Sequence, residues 1–177
     1  MIIFKTFALA LLLQQGAPET VDWDREFGVE KRTPDPLTGE LPVAPYQQDN
    51  ANAGAAPFAG DELARAFNGR PGIERIANRT IALSQTDPRI SAIFVNHDMV
   101  RLRRTLAEQF CYLLNAGCNY SGRDMGNAHK DMGLKLADMN ALVENLQRAM
   151  AAEGVPFAAQ NRLLSKLAPM SAAMIER

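Results

Sequence analysis

The chain has 177 residues, 47% of them hydrophobic, enough for one packed domain of ordinary size with extensions. Its 19 basic and 20 acidic side chains leave a formal charge of −1 and no electrostatic footprint for gripping phosphates, which sets nucleic acid aside as a partner. No apolar run approaches the roughly 20 residues of a bilayer-crossing helix, so the mature protein is not expected to be an integral membrane protein.

Met1 to Phe4, the single cation Lys5, an apolar stretch from Thr6 to Leu13 and then Gln14, Gln15, Gly16 and Ala17 follow the order of a secretory signal peptide. Residues 1–18 are therefore assigned to a possible signal peptide and the protein to the periplasm or the exterior; a cytoplasmic chain with an N-terminal extension is the alternative. Residues 19–58 are rich in Pro, Gly, Asp, Asn and Gln without regular apolar spacing, which predicts an extended, Pro-rich linker. Trp23, Phe27 and Tyr46 stand isolated in it, to dock on the folded part or to remain solvated.

Residues 59–177 change character, because apolar side chains recur at three- and four-residue intervals and strand-like alternation is missing. The spacing predicts a short helix over Asp61 to Asn68, ended by Gly69-Arg70-Pro71-Gly72, and a second over Ile73 to Gln85, stopped ahead of Pro88. Pro88 to Phe94 reads as a short helical turn. Asp98 can cap a long helix to about Asn115, with Met99, Leu102, Leu106, Phe110 and Leu113 on one stripe. A glycine-bearing loop leads to a short helix from Asp124 to about Met132 that carries His129. Two further amphipathic helices follow, one with Met139, Leu142, Val143 and Leu146 before Gly154, the other starting near Pro156 with Leu163, Leu164 and Leu167.

Among chemistry-bearing residues, His97 and His129 sit on different segments without Cys, Asp or Glu at zinc-ligand spacing, which argues against a zinc site. On the residues alone His129 is open to two readings, a metal ligand or a surface or satisfied core imidazole. Met125 lies four residues before it on the same face, and the helix faces the long apolar stripe, the setting a haem needs: one neutral imidazole and apolar side chains against both faces. No phosphate-cradling glycine loop is present, and neither cysteine sits in a nucleophile signature. Cys111 and Cys118 would lie roughly 10 Å apart on one unbroken helix, beyond the about 7 Å limit for a disulfide. A chain reversal at Asn115 and Gly117 would allow the bridge, and free thiols are the other reading.

Thr86-Asp87-Pro88-Arg89-Ile90, Phe94, Asp98-Met99, Arg101-Leu102, Glu108-Gln109, Tyr120-Ser121-Gly122-Arg123-Asp124-Met125, His129, Gly133-Leu134, Gly154-Val155-Pro156 and Ala168-Pro169-Met170 together resemble the group I truncated haemoglobin pattern, in order and spacing from about Ala59 to Ile175. The resemblance implies an all-α truncated globin, a two-over-two helical sandwich, with an extended N-terminal segment. It implies haem b, its iron held by His129, with Phe94, Leu102, Leu106, Met125, Leu134, Met139 and Val143 around the cofactor and Ile81, Leu102 and Leu106 lining the gas pocket. Where better-known members place Tyr and Gln as hydrogen-bond donors, Ile and Leu offer none. Thr105 replaces the distal histidine of some relatives, and Pro71 replaces the first glycine of the usual pair before Gly72. The implied function is reversible binding of oxygen, carbon monoxide or nitric oxide, for gas handling or sensing, with an unknown reductant. A haem-free globin-fold interaction module and a redox enzyme such as a nitric oxide dioxygenase are the alternatives.

Overall fold

Helix start and stop signals account for most of the architecture. The computed structural model describes residues 21–22, 26–28 and 32–175. The signal-peptide reading and Trp23 lie outside them. The chain divides into two units after Arg32, the second beginning at Thr33 and carrying the helices that follow. In the first unit, Phe27 is 73% exposed.

Among the described residues six α-helices follow one another: α1 (Glu62–Ala66), α2 (Gly69–Thr86), α3 (Met99–Leu113), α4 (Met125–Ala128), α5 (Leu136–Ala152) and α6 (Phe157–Leu167), with 3-10 turns at Asn50–Ala53, Ser91–Phe94 and Ala168–Ala173. Among the described residues there is no strand. Asp87 is extended at the end of α2, as a residue ahead of proline should be. Asp98 caps α3, its carboxylate accepting the Arg101 N–H at 2.9 Å. Gly154, at φ 72°, turns the chain out of α5.

Two expected helix boundaries are corrected. Gly69-Arg70-Pro71-Gly72 is not a connecting loop but the first turn of α2. Pro71 fits there because N–H groups of a first turn have no intrahelical acceptor, so its missing donor costs nothing. The helix bearing His129 is a single turn, and His129 is its C-cap rather than a mid-helix residue. Gly126 and Asn127 are weak helix formers, and Asp131 and Gly133 both take left-handed φ beyond it.

The helices stack in two layers, α2 with α3 and α5 with α6, and α2 crosses α5 between them. One packed cluster, including Phe67, Ile73, Ile76, Phe110, Leu146, Met150 and Leu163, fills the crossing. A second, of Ala53, Leu113, Tyr120 and Met170 with Tyr112 and Met125 at its edge, lies under the N-terminal segment. Gly72 is the close-approach point between α1 and α2: a Cβ there would overlap the Phe67 carbonyl oxygen and crowd the Asn68 Cβ.

Residues 33–58 run without helix apart from the turn at Asn50–Ala53, and they are bound to the helices as a strap. Glu40, 7% exposed, accepts from Nε and Nη2 along one edge of the Arg104 guanidinium and is paired with Arg101 at 3.1 Å. The Leu41 N–H donates to Asp98, and the Phe58 N–H to the Leu113 carbonyl at 2.8 Å. Tyr46 docks, its hydroxyl donating to the Ser121 carbonyl.

Candidate cofactor and gas-binding site

His129 ends the one-turn helix α4, and its ring is fixed locally. Nδ1 stands 2.8 Å from the Met125 carbonyl oxygen, and because a carbonyl only accepts, Nδ1 carries the proton. In the neutral imidazole Nε2 then presents its lone pair, and it has no protein partner among the described residues. Asp124 starts the turn by accepting the Asn127 N–H at 3.0 Å, and that bond holds its carboxyl below the ordinary carboxylate range.

Of the apolar side chains that the resemblance assigns to the cofactor, most are partly exposed, with Leu106 and Met125 packed on the edges of the two clusters. Phe94, Leu102, Leu106, Met125, Met139 and His129 itself are all half-buried, whereas Ile81 and Leu134 are buried at 1% and 5% exposure. Ile81 and Leu134 belong to neither packed cluster, although fully withdrawn from solvent. Val143 sits further out, at 36% exposure, and Leu142 beside it is half-buried. His97 is exposed.

Polar groups near the distal positions are already committed. Thr80 donates to the Ile76 carbonyl and Ser84 to the Thr80 carbonyl, both at 2.8 Å, and Thr105 donates to the Arg101 carbonyl at 2.9 Å. A hydroxyl has one proton to give, so none remains for a ligand. Asn145, 1% exposed on α5, donates to Asp87 at 3.1 Å. Arg89 binds the same Asp87 and pulls its carboxyl far below the usual range.

Three features escaped sequence reasoning. Gln109, 6% exposed on α3, donates to the Ala53 carbonyl at 3.0 Å and reaches the Met125 sulfur at 3.5 Å, linking strap, α3 and α4. Its signal was present: it continues the Leu102, Leu106 series toward Leu113, a polar residue on an apolar stripe. Tyr120 is buried with its hydroxyl donating to the Arg123 carbonyl, and burial pushes that phenol up to about 12. Ser121 is bonded through N–H and hydroxyl to Glu108 and through its hydroxyl to Arg104. Cys111 and Cys118 form a disulfide with Cα atoms 5.6 Å apart, because α3 ends at Leu113 and left-handed Asn115 and Gly117 return the chain.

A chain of this architecture has known relatives. The group 1 truncated haemoglobin of Nostoc sp. is 26% identical over 111 residues, covering 63% of this chain and 94% of that protein. The group 1 truncated haemoglobin of Chlamydomonas moewusii is 30% identical over 101 residues, 56% of this chain and 57% of its own. Among solved structures, truncated haemoglobin from Tetrahymena pyriformis in its Fe(III) form superposes with a TM-score of 0.62 at 23% identity, over 65% of this chain and 98% of that one. The 2/2 haemoglobin of Synechococcus sp., solved in the cyanomet state with covalently attached haem, gives 0.60 at 20% identity over the same shares. These likenesses establish the two-over-two fold. The family model described as bacterial-like globin matches residues 64–176, which takes in the helices from within α1 through α6, and the chain belongs to that family.

Proposed function

We propose that the chain holds haem b through His129 Nε2 and reversibly binds a diatomic gas, oxygen, carbon monoxide or nitric oxide, on the opposite face. One observation carries the reading: the His129 Nδ1–H is given to the Met125 carbonyl, so the tautomer with a basic Nε2 is fixed on a half-buried ring. Such a hydrogen bond is the usual support of a metal-bound imidazole, setting both ring orientation and basicity. The residues fit the group in a second respect. Phe94, Leu102 and Met139 are left partly exposed outside both packed clusters, with Leu106 and Met125 at the cluster edges, and partly covered apolar side chains of this kind match what a flat apolar macrocycle needs on its two faces. Phe94, Leu102 and Leu106 would cover one face and its edge, and Met125, Leu134 and Met139 the other, with Val143 at the rim.

When bound, haem supplies a ferrous centre to which a diatomic gas coordinates. The chain's own part is to hold that centre by one neutral imidazole, to exclude water with Ile81, Leu102 and Leu106, and to withhold any side-chain donor from the gas. The Cys111–Cys118 bridge supports a further assignment, to an oxidising compartment such as the periplasm or the exterior, where such bonds persist.

Absorption spectra of the purified protein test the reading. A Soret band and a ferrous–carbon monoxide spectrum are expected for the wild type. His129→Ala should lose the cofactor or hold it weakly, with partial recovery on added imidazole. A variant with the wild-type ferrous–carbon monoxide spectrum and no added imidazole would overturn the ligand assignment.

A further inference from the structure

Each of the five residues leading into α4 is hydrogen-bonded by the strap. Asn50 Nδ2 donates to the Asn119 side chain at 3.1 Å, and its Oδ1 accepts the Tyr120 N–H at 2.8 Å. The Tyr46 hydroxyl donates to the Ser121 carbonyl at 2.8 Å and Asn52 Nδ2 to the Gly122 carbonyl at 3.2 Å. The Arg123 guanidinium donates to the Ala44 carbonyl at 2.9 Å and lies 5.1 Å from the centre of the Tyr46 ring. The strap is anchored in its turn by Glu40 on Arg104 and Arg101, and by Phe58 on Leu113. Between the strap and α4 themselves lies a cleft of about 390 Å³ bordered by Tyr46, Asn52, Arg123, Asp124 and Asn127. The strap therefore reaches the helix by way of residues 119–123 and, from Ala53, through Gln109.

A four-residue helix has too few hydrogen bonds of its own to hold a fixed attitude. His129 is tied to the carbonyl that opens this turn, so its ring moves with the turn, and the turn starts one residue after Arg123. We infer that Tyr46, Asn50 and Asn52 are positioning residues for His129: the strap sets where the imidazole stands by fixing residues 119–123. This rests on the reading of His129 as the iron ligand. On it, the segment outside the region matched by the family model, which begins at residue 64, tunes the metal–imidazole bond.

The test uses the full chain with Tyr46→Phe and Asn52→Ala together, which removes two of the five bonds and keeps the aromatic ring beside Arg123. Two readouts apply: the iron–histidine stretching band of the unliganded ferrous protein by resonance Raman, and the rate of haem transfer to excess apomyoglobin. Lys166→Met is the control, since Lys166 bonds the strap at the Ala56 carbonyl, away from residues 119–123. The double variant should shift or broaden the band and speed haem loss about tenfold, the size expected when two ordinary hydrogen bonds are lost and part of their energy reaches the ligand. The control should change neither beyond about twofold, within the spread of a neutral surface change. Far-UV circular dichroism establishes that each variant is folded; if the double variant is not, Tyr46→Phe alone carries the test with the same readouts. An unmoved band and haem-loss rate in a folded variant overturn the inference while leaving the ligand assignment intact, as does an equal response of the control. A wild-type protein without any iron–histidine band overturns the ligand assignment, and the inference with it.

Discussion

Introducing a donor opposite His129 should slow oxygen release, and the size of the effect follows from what the pocket lacks. Ile81, Leu102 and Leu106 have no N–H or O–H, and the nearby hydroxyls of Thr80, Ser84 and Thr105 each give their single proton to a helix carbonyl. Tyr112 packs against the cluster of Leu113, Tyr120 and Met170 beneath the strap. Bound oxygen draws charge onto its outer atom, and a hydrogen bond to such an acceptor contributes about 1.5–3 kcal/mol, or roughly ten- to a hundredfold in dissociation rate. Leu106→Gln or Leu102→Gln should therefore slow release by that factor relative to the wild type. Carbon monoxide carries less charge when bound and should change by less than about threefold. Stopped-flow displacement of oxygen by carbon monoxide measures both. Slow release from the wild type, or no slowing in either glutamine variant, would refute the assignment of these positions to the gas pocket.

Three further outcomes are expected. Glu40→Ala should destabilise the protein by about 2 kcal/mol, less than a fully buried pair because Arg104 keeps Glu108 and some solvent. The Arg104 hydrogen bond holds the Glu40 carboxyl below its ordinary 4.5, so its contribution is complete above that value and is lost as pH falls through the lower folded-state value; thermal midpoints should fall in acid more steeply for wild type than for the variant. Replacing Cys111 and Cys118 by serine opens a loop closed at a separation of 7 residues and should cost about 2.5 kcal/mol, read as a lower denaturation midpoint that reductant reproduces in the wild type. Gly72→Ala should lower the thermal midpoint by about 2 kcal/mol equivalent, since the overlap with the Phe67 carbonyl outweighs the roughly 1 kcal/mol that alanine gains in a helix.

What could be read from the sequence was what is local. The stripe of Leu102, Leu106, Phe110 and Leu113 with Asp98 before it specifies α3 because both periodicity and cap act within a few residues. Asp87-Pro88 ends α2 by the same short-range sterics. Gly69 and Pro71 carry the local signature of helix breakers and so predict too late a start for α2; only their position in a first turn, with Gly72 packed on Phe67, makes them compatible with helix. Spacing alone left the cysteine pair open; the reversal at Asn115 and Gly117 decides it. Nothing in residues 33–58 announced the strap, whose partners lie from 55 residues away for Phe58 and Leu113 to 110 for Ala56 and Lys166. Such pairs leave no periodic trace, and single Asn and Tyr residues in a polar stretch look the same solvated or docked.

The segment from Asn115 to Asp124 is held from three sides, and the brevity of α4 explains why. The disulfide ties Cys118 to α3, Glu108 and Arg104 grip Ser121 from the same helix, and the strap bonds residues 119–123 from outside. In a helix of three or four turns the attitude of a side chain is secured by the helix's own ladder and by its buried face. A one-turn helix without a single buried residue has neither. Its orientation must be inherited from the chain that enters it, and rigidity there has to be built from tertiary bonds. Past that chain, α4 is met directly by Gln109 at the Met125 sulfur and by the Ala168–Ala173 turn, with Met125 at the edge of the Leu113, Tyr120 and Met170 cluster. The residues that fix where His129 stands are thus spread over α3, the loop and the strap, and only those of the loop are near His129 in sequence.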